Sequence, residues 1–121
     1  MKLNHINLTV QDVPMASTFF QTYFEFKPAD SKPNDSLSVL TGTDGFILVL
    51  MHERLNQNGS TTYPDAFHIG FYLDHEEAVL AKFQELKTGE IDLPQEPQRI
   101  RKTFGFYFNL QNIMIEITTP V

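Results

Sequence analysis

The amino-acid sequence predicts an α+β fold in which two βαβββ modules form a curved mixed sheet around a cleft. Residues 3–10 alternate apolar and polar side chains, which is typical of a strand with one face on a core. The order of a strand, a helix and three strands then occurs twice. A shift of 63 residues also matches His5-Ile6 to His68-Ile69 and Phe20-Gln21 to Phe83-Gln84, as a duplicated module would.

The first module is expected at about residues 1–55 and begins with the alternating strand. Asp12 can cap a helix, and Pro14 suits its first turn because the missing N–H would be unpaired there. This helix is predicted over about residues 14–23. Its apolar side chains recur at helical spacing, at Met15, Phe19, Phe20 and Tyr23. Residues 24–28 then lead into a second strand, and two more strands are predicted at 37–41 and 46–51 around a hairpin turn at 41–45.

A polar linker is expected at about residues 56–64, and the second module at about 65–121, within a single domain. Its first strand is predicted at 66–73, and Asp74 is expected to cap a helix over about 75–87. The buried face of that helix is predicted to hold Val79, Leu80, Phe83 and Leu86. Three further strands are predicted at 91–93, 103–110 and 113–119.

Composition excludes several classes of function. The chain has 121 residues and a net charge of -6, which argues against nucleic-acid binding because phosphates require a basic surface. With no cysteine there is no disulfide, no thiolate nucleophile and no Cys-ligated metal, so a metal would need histidine and carboxylate. The sequence shows no signal peptide and no apolar run near the roughly 18 residues of a membrane span. We therefore expect a cytoplasmic protein without a membrane partner.

Three side chains that could bind a metal, His5, His68 and Glu116, lie on the polar faces of predicted strands. On the first strand the apolar residues cover the helix, so His5 and Asn7 point to the opposite face, toward the cleft. The same argument places His68 on the cleft face of the fifth strand and Glu116 on that of the last strand. The repeat predicts that the two histidines lie near each other.

Two histidines and one carboxylate with open positions suit a divalent metal such as Fe, Zn, Ni, Mn or Co. Two simpler interpretations remain open. Each histidine alone is more often a hydrogen-bonded, half-buried residue. A carboxylate flanked by isoleucines requires a cationic partner, and Arg99, Arg101 or Lys102 could supply it without a metal.

The sequence resembles the vicinal oxygen chelate superfamily of glyoxalases, bleomycin resistance proteins and extradiol dioxygenases. The resemblance rests on the opening pattern of His5, Val10 and Asp12 and on aromatic residues near the end of the first helix. It rests also on His68-Ile69-Gly70-Phe71 and on residues 106–116. The resemblance implies paired βαβββ modules (the glyoxalase/bleomycin resistance-like fold) and a homodimer. It also implies that His5, His68 and Glu116 occupy metal-ligand positions.

The chain departs from the superfamily pattern at a fourth ligand. Glyoxalase-like members carry a glutamate on the fourth strand, and counting from the preceding turns makes Val49 the counterpart of Glu116. Glu53 lies four residues later and could substitute only in another register. The three-ligand set is similar to the fosfomycin-resistance branch, although this chain stops at Val121 without that branch's basic tail. No catalytic base is assigned.

Four further residues are predicted to contact a substrate. Asn7, Tyr72 and Tyr107 would present polar groups to the cleft, and Arg101, in the one basic cluster, could reach an anionic group. The alternatives are core packing for the tyrosines and a solvated loop or surface salt bridge for the arginine. His52 and His75 are interpreted as surface residues.

Two functions are compatible with these residues. The first is a metal-dependent enzyme acting on a small oxygen-bearing molecule, as a lyase, an isomerase, a thiol transferase or a dioxygenase. The second is a metal-free binding protein of the bleomycin-resistance kind, which would bind a drug or another small molecule in an aromatic groove.

Overall fold

A computed structural model describes residues 1–29, 34–59 and 62–121 of the chain. The chain divides into two compact units, Met1–Thr62 and Tyr63–Val121, called here the first and second unit. Each contains one helix and a four-stranded mixed sheet, which confirms the predicted α+β class and the βαβββ order. In the predicted linker, Ser60 and Thr61 lie outside the described residues.

The first unit is a βαβββ module whose first and last strands pair in parallel. Its elements are β1 (His5–Val10), α1 (Val13–Tyr23), β2 (Lys27–Pro28), β3 (Leu37–Thr41) and β4 (Ile47–His52), followed by a 3-10 turn at Glu53–Leu55. The strand order in the sheet is β1-β4-β3-β2. β1 runs parallel to β4, whereas β3 runs antiparallel to both of its neighbours.

The second unit repeats this topology. Its elements are β5 (His68–Tyr72), α2 (Glu76–Thr88), β6 (Gln98–Ile100), β7 (Thr103–Leu110) and β8 (Ile113–Pro120). The strand order is β5-β8-β7-β6, with β5 parallel to β8 and the other pairs antiparallel. No helix in the described part of the chain is long and apolar enough to cross a membrane.

Helix α1 begins as its sequence predicts. The side chain of Asp12 accepts a hydrogen bond from the amide of Met15 at 3.0 Å, and Pro14 lies in the first turn. The buried face includes Val13, Ala16, Phe19 and Phe20. Met15 is 55% exposed, so its place in the predicted apolar stripe is wrong. Met15 and Pro14 are both exposed and lie between the buried residues Val13 and Ala16.

Helix α2 begins and packs differently from the prediction. His75, not Asp74, is its N-cap, because the imidazole Nδ1 of His75 accepts the amide of Ala78 at 3.1 Å. Val79, Phe83 and Leu86 are buried as expected, but Leu80 is 48% exposed, one position off the buried stripe.

The sixth strand also lies elsewhere. Residues 91–93, predicted as a strand, do not form one, because the amide of Ile91 bonds the carbonyl of Leu86 at 3.1 Å and so helps to end α2. The strand instead forms at Gln98–Ile100, after Pro94 and Pro97. Arg99 therefore belongs to a strand and not to a loop.

Two strand glycines in the second unit give a matched test of packing. A Cβ on Gly105 would overlap the carbonyl oxygen of Ile117 and approach the Cα of Thr118 to 2.8 Å, both backbone atoms of β8. We expect Gly105→Ala to lower the free energy of unfolding by about 1–3 kcal/mol in chemical denaturation, because the strands must separate to admit the methyl group.

Gly70→Ala is the control for this substitution. A Cβ on Gly70 would lie 3.6 Å from Glu116 Oε1, an ordinary contact with the end of a side chain. We expect its stability to be unchanged within roughly 0.5 kcal/mol or slightly raised, because alanine lowers the entropy of the unfolded chain. Equal losses in the two variants would contradict this account of Gly105.

Candidate metal centre

His68 and Glu116 lie side by side on the sheet of the second unit. The parallel pairing of β5 with β8 sets Gly70 opposite Glu116, and His68 precedes Gly70 by two residues, so it projects from the same face. The imidazole Nε2 of His68 lies 3.3 Å from Oε1 of Glu116. The two side chains are 37% and 20% exposed, so a small ligand has access to both.

A main-chain carbonyl determines which nitrogen of His68 carries its proton. Nδ1 of His68 lies 3.0 Å from the carbonyl oxygen of Ala66, which can only accept a hydrogen bond. The hydrogen is therefore on Nδ1. In the neutral ring, Nε2 then carries a lone pair that faces the Glu116 carboxylate, and a cation between them could bind both groups. In the charged ring, Nε2 carries a second proton and donates it to the carboxylate.

Tyr107 completes a cluster of three side chains from three strands. It lies directly opposite Glu116 on β7, and its ring meets the His68 ring edge-on with centroids 5.6 Å apart. Burial raises the pKa of the Tyr107 hydroxyl, and the negative charge of Glu116 and a hydrogen bond to that carboxylate raise it further. Phe106, the preceding residue, packs on Phe83 of α2, so the cluster lies on the sheet face away from this helix.

The basic residues suggested as partners of Glu116 do not approach it. Arg99 forms an ion pair with Glu76 at 2.9 Å, at the start of α2. Arg101 and Lys102 form the turn between β6 and β7, with Arg101 in the left-handed region at φ 57°. Since Thr103 pairs with Pro120, this turn lies beyond the end of β8, four residues or about 13 Å along the strand from Glu116. The partners of Glu116 in the described part of the chain include His68 and Tyr107.

In the first unit, His5 also has a hydrogen-bond partner at Nδ1. It lies at the start of β1, is exposed, and its Nδ1 is 2.7 Å from the side-chain oxygen of Asn4. Asn7 is exposed on the same face two residues further on. Both residues thus have the exposure expected for the polar phase of the strand, while Leu8 and Val10 are buried.

The register of β1 and β4 identifies the position that corresponds to Glu116. Asn7 pairs with Val49 in the first unit as Gly70 pairs with Glu116 in the second, so the fourth-strand position holds valine. Strand β4 ends at His52, and Glu53 begins the 3-10 turn. One oxygen of Glu53, Oε2, is buried without a hydrogen-bond partner among the described residues. Glu53 therefore does not occupy the strand position of a fourth ligand.

The remaining candidate residues have different positions. Tyr72 lies on the same strand and face as His68 and is 72% exposed, so it is not a core residue. His52 and His75 use Nδ1 to accept the amides of Arg54 and Ala78. These two histidines cap helical turns, a role that their positions at element ends could have suggested.

The second unit supplies two of the predicted metal ligands in contact with each other. An imidazole nitrogen beside a carboxylate oxygen is a donor set that fits Zn, Fe, Ni, Mn or Co. Within each unit, the described residues contain no group of three His, Asp or Glu side chains that could hold a metal ion. The structural support for a metal site therefore consists of the His68–Glu116 pair. His5 remains a ligand predicted from the sequence.

The fold and this cluster define an α+β protein of repeated βαβββ modules with a polar site on a sheet face. The sequence model of the Glyoxalase/Bleomycin resistance protein/Dioxygenase superfamily matches residues 2–120, and the chain belongs to this superfamily. The solved structure of a possible glyoxalase from Bacillus cereus is 32% identical, with a TM-score of 0.80 and 97% of each chain covered. The predicted family is thereby confirmed.

More distant structures share the fold. The fosfomycin resistance protein FosX from Listeria monocytogenes is 20% identical with a TM-score of 0.74, over 100% of this chain and 94% of its own. Lactoylglutathione lyase from Agrobacterium tumefaciens is 16% identical with a TM-score of 0.74, over 98% of this chain and 92% of its own. No curated protein sequence matches the chain.

The environment of Tyr107 gives a prediction for alkaline pH. A spectrophotometric titration should show Tyr107 ionising above the ordinary pKa of 10.0. We expect Glu116→Gln to lower the pKa of Tyr107 only part of the way, because burial, the largest cause, remains. Since the folded state holds this proton more tightly than the unfolded chain, its contribution to stability is complete below pH 10.0 and is lost as the pH rises through the folded pKa.

Tyr72→Phe is the control for this titration. It removes an exposed phenol and should leave the late ionisation unchanged. A Glu116→Gln variant in which Tyr107 titrates as before would show that the charge of Glu116 does not act on this hydroxyl.

Proposed function

We propose that the protein is a divalent-metal-dependent enzyme of this superfamily that acts on a small oxygen-bearing molecule, with His5, His68 and Glu116 as metal ligands. The observation that carries the proposal is the pairing of His68 with Glu116. The bond from His68 Nδ1 to the Ala66 carbonyl leaves Nε2 free, 3.3 Å from a carboxylate oxygen. A hydrogen bond on the other ring nitrogen is the usual arrangement of a metal-bound histidine.

His68 and Glu116, with His5, would hold the divalent ion, which would supply Lewis acidity to an oxygen-bearing substrate. The pKa of Tyr107 is raised above 10.0, so the hydroxyl is protonated at neutral pH and its proposed role is to donate a hydrogen bond. Asn7 and Tyr72 are proposed to contact the substrate from the exposed faces of β1 and β5. Arg101 lies far from Glu116 along the sheet, so we propose that it contacts only an extended anionic substrate.

A three-ligand set is proposed because the strand position corresponding to Glu116 is Val49. Among the structures with this fold, FosX and lactoylglutathione lyase carry names that imply action on small molecules. Isomerisation, addition of a thiol or water, and oxygenation are the reactions we consider. We further propose that the chain works as a homodimer in the cytoplasm, in keeping with the superfamily.

The proposal predicts about one divalent ion per chain in protein purified without chelator and measured by elemental analysis. We expect His68→Ala and Glu116→Gln to lose the ion, because each removes a ligand atom. His5→Ala tests the ligand that the sequence repeat adds.

His75→Asn is the matched control for these variants. It removes an imidazole from the surface of the same unit but keeps an acceptor suited to an N-cap, so the metal content should not change. Wild-type protein that is isolated metal-free and takes up no added Zn, Ni, Mn, Co or Fe would sink the proposal.

A second candidate is a metal-free binding protein of the bleomycin-resistance kind. The observation that favours it is the hydrogen bond between the Tyr107 hydroxyl and Glu116, since it gives the carboxylate a partner without any metal. The net charge of -6 favours a cationic ligand. Thermal-shift measurements separate the two functions. A metal-free binding protein should be stabilised by flat cationic compounds equally with and without chelator. A metal-dependent enzyme should be stabilised by added metal.

A further inference from the structure

The two histidines of the repeat have matched hydrogen bonds on the same ring nitrogen but different partners. Nδ1 of His68 bonds the main-chain carbonyl of Ala66 at 3.0 Å. Nδ1 of His5 lies 2.7 Å from the side-chain oxygen of Asn4. One of the two histidines is therefore oriented by a group that a substitution can remove, whereas the other is oriented by the backbone.

Asn4 is itself held in the sheet. Its carbonyl accepts the amide of Ile47, the first residue of β4, at 2.9 Å, just before the β1–β4 ladder begins. This bond keeps Asn4 in register with the strand that carries His5. The main chain of Asn4 is thus fixed beside His5, within reach of the 2.7 Å contact between the Asn4 side-chain oxygen and the imidazole.

We propose that Asn4 is a positioning residue that sets the tautomer and the ring orientation of His5. An amide oxygen can only accept, so the bond places the single hydrogen of the neutral imidazole on Nδ1 and leaves the lone pair on Nε2. The proposal rests on the proposed function in one respect: the lone pair serves as the metal ligand. The tautomer itself does not depend on any metal.

The opposite amide orientation makes the opposite prediction. If the NH₂ group of Asn4 faced His5, it would donate to Nδ1, and the hydrogen of the ring would lie on Nε2. His5 would then offer no lone pair at that nitrogen. The two orientations are therefore separated by one observable, the nitrogen that carries the hydrogen.

The first experiment is ¹⁵N–¹H correlation spectroscopy of the imidazoles in metal-free protein at alkaline pH, where the rings are neutral. Wild-type protein and Asn4→Asp should both show His5 protonated on Nδ1, because an aspartate can only accept. Asn4→Ala should show a mixture of tautomers at His5, and His68 should be unchanged in all three. A hydrogen on Nε2 of His5 in the wild type overturns the proposal, whether or not the protein binds metal.

The second experiment is a zinc titration against a competing chelator. Asn4→Ala should bind zinc about 10–100-fold more weakly, the usual effect of removing an outer partner of a metal-bound histidine. Asn4→Asp should restore the wild-type affinity or exceed it. Loss of affinity in both variants, or in neither, overturns the positioning role.

Asn34→Ala is the matched control. The side chain of Asn34 accepts the amides of Ser36 and Leu37 at 2.8 and 2.9 Å, so this substitution also removes asparagine hydrogen bonds from the first unit. It should leave the zinc affinity and the His5 tautomer unchanged. A loss of zinc affinity in Asn34→Ala as large as in Asn4→Ala would mean that general loosening of the unit explains the effect, which overturns the role of Asn4. In protein that takes up no zinc, the proposed function fails and the tautomer still decides the role of Asn4.

Discussion

The parallel ladder between the first and last strands of each module is the constraint on which the rest of the structure depends. A short hairpin cannot join two parallel strands. The connection between them is therefore long, and in each unit it contains the helix and the two other strands of the sheet. In the second unit this ladder brings His68 and Glu116, 48 residues apart in sequence, onto one face. A slip of one residue would turn Glu116 toward the core and expose Ile115 and Ile117, which are buried.

The site is also a solution to an energetic problem. The Glu116 carboxylate is only 20% exposed, so water solvates it incompletely and an unpaired charge there would be costly. His68 and Tyr107 share the interaction with Glu116, one through the imidazole and one through the hydroxyl. The same partners leave an oxygen and a nitrogen facing each other at the surface. An arrangement that gives a half-buried carboxylate its hydrogen-bond partners is thus also suited to a cation.

Local patterns predicted most of the elements. The alternation of residues 3–10 and the cap at Asp12 were sufficient to locate β1 and α1, because both are set by neighbours in the sequence. The sixth strand could not be found in this way, since residues 91–93 and 98–100 are both short and separated by prolines. Which of them pairs with β7 depends on the hydrogen bonds that end α2. The cap at His75 was missed because a histidine accepts such a bond only in a suitable ring orientation.

The sequence by itself determined the family, the duplicated module and the faces on which His5, His68 and Glu116 lie. The family follows from short motifs, the duplication from a 63-residue shift, and the faces from a period of two, which is a property of the local chain. The tertiary structure decided the partners: Glu116 pairs with His68 and Tyr107, Arg99 pairs with Glu76, and Val49 takes the place of a fourth ligand. It also assigned the ring hydrogen of His68 to Nδ1, through the carbonyl of Ala66. Register and hydrogen-bond partners join segments distant in sequence, and no local pattern contains them.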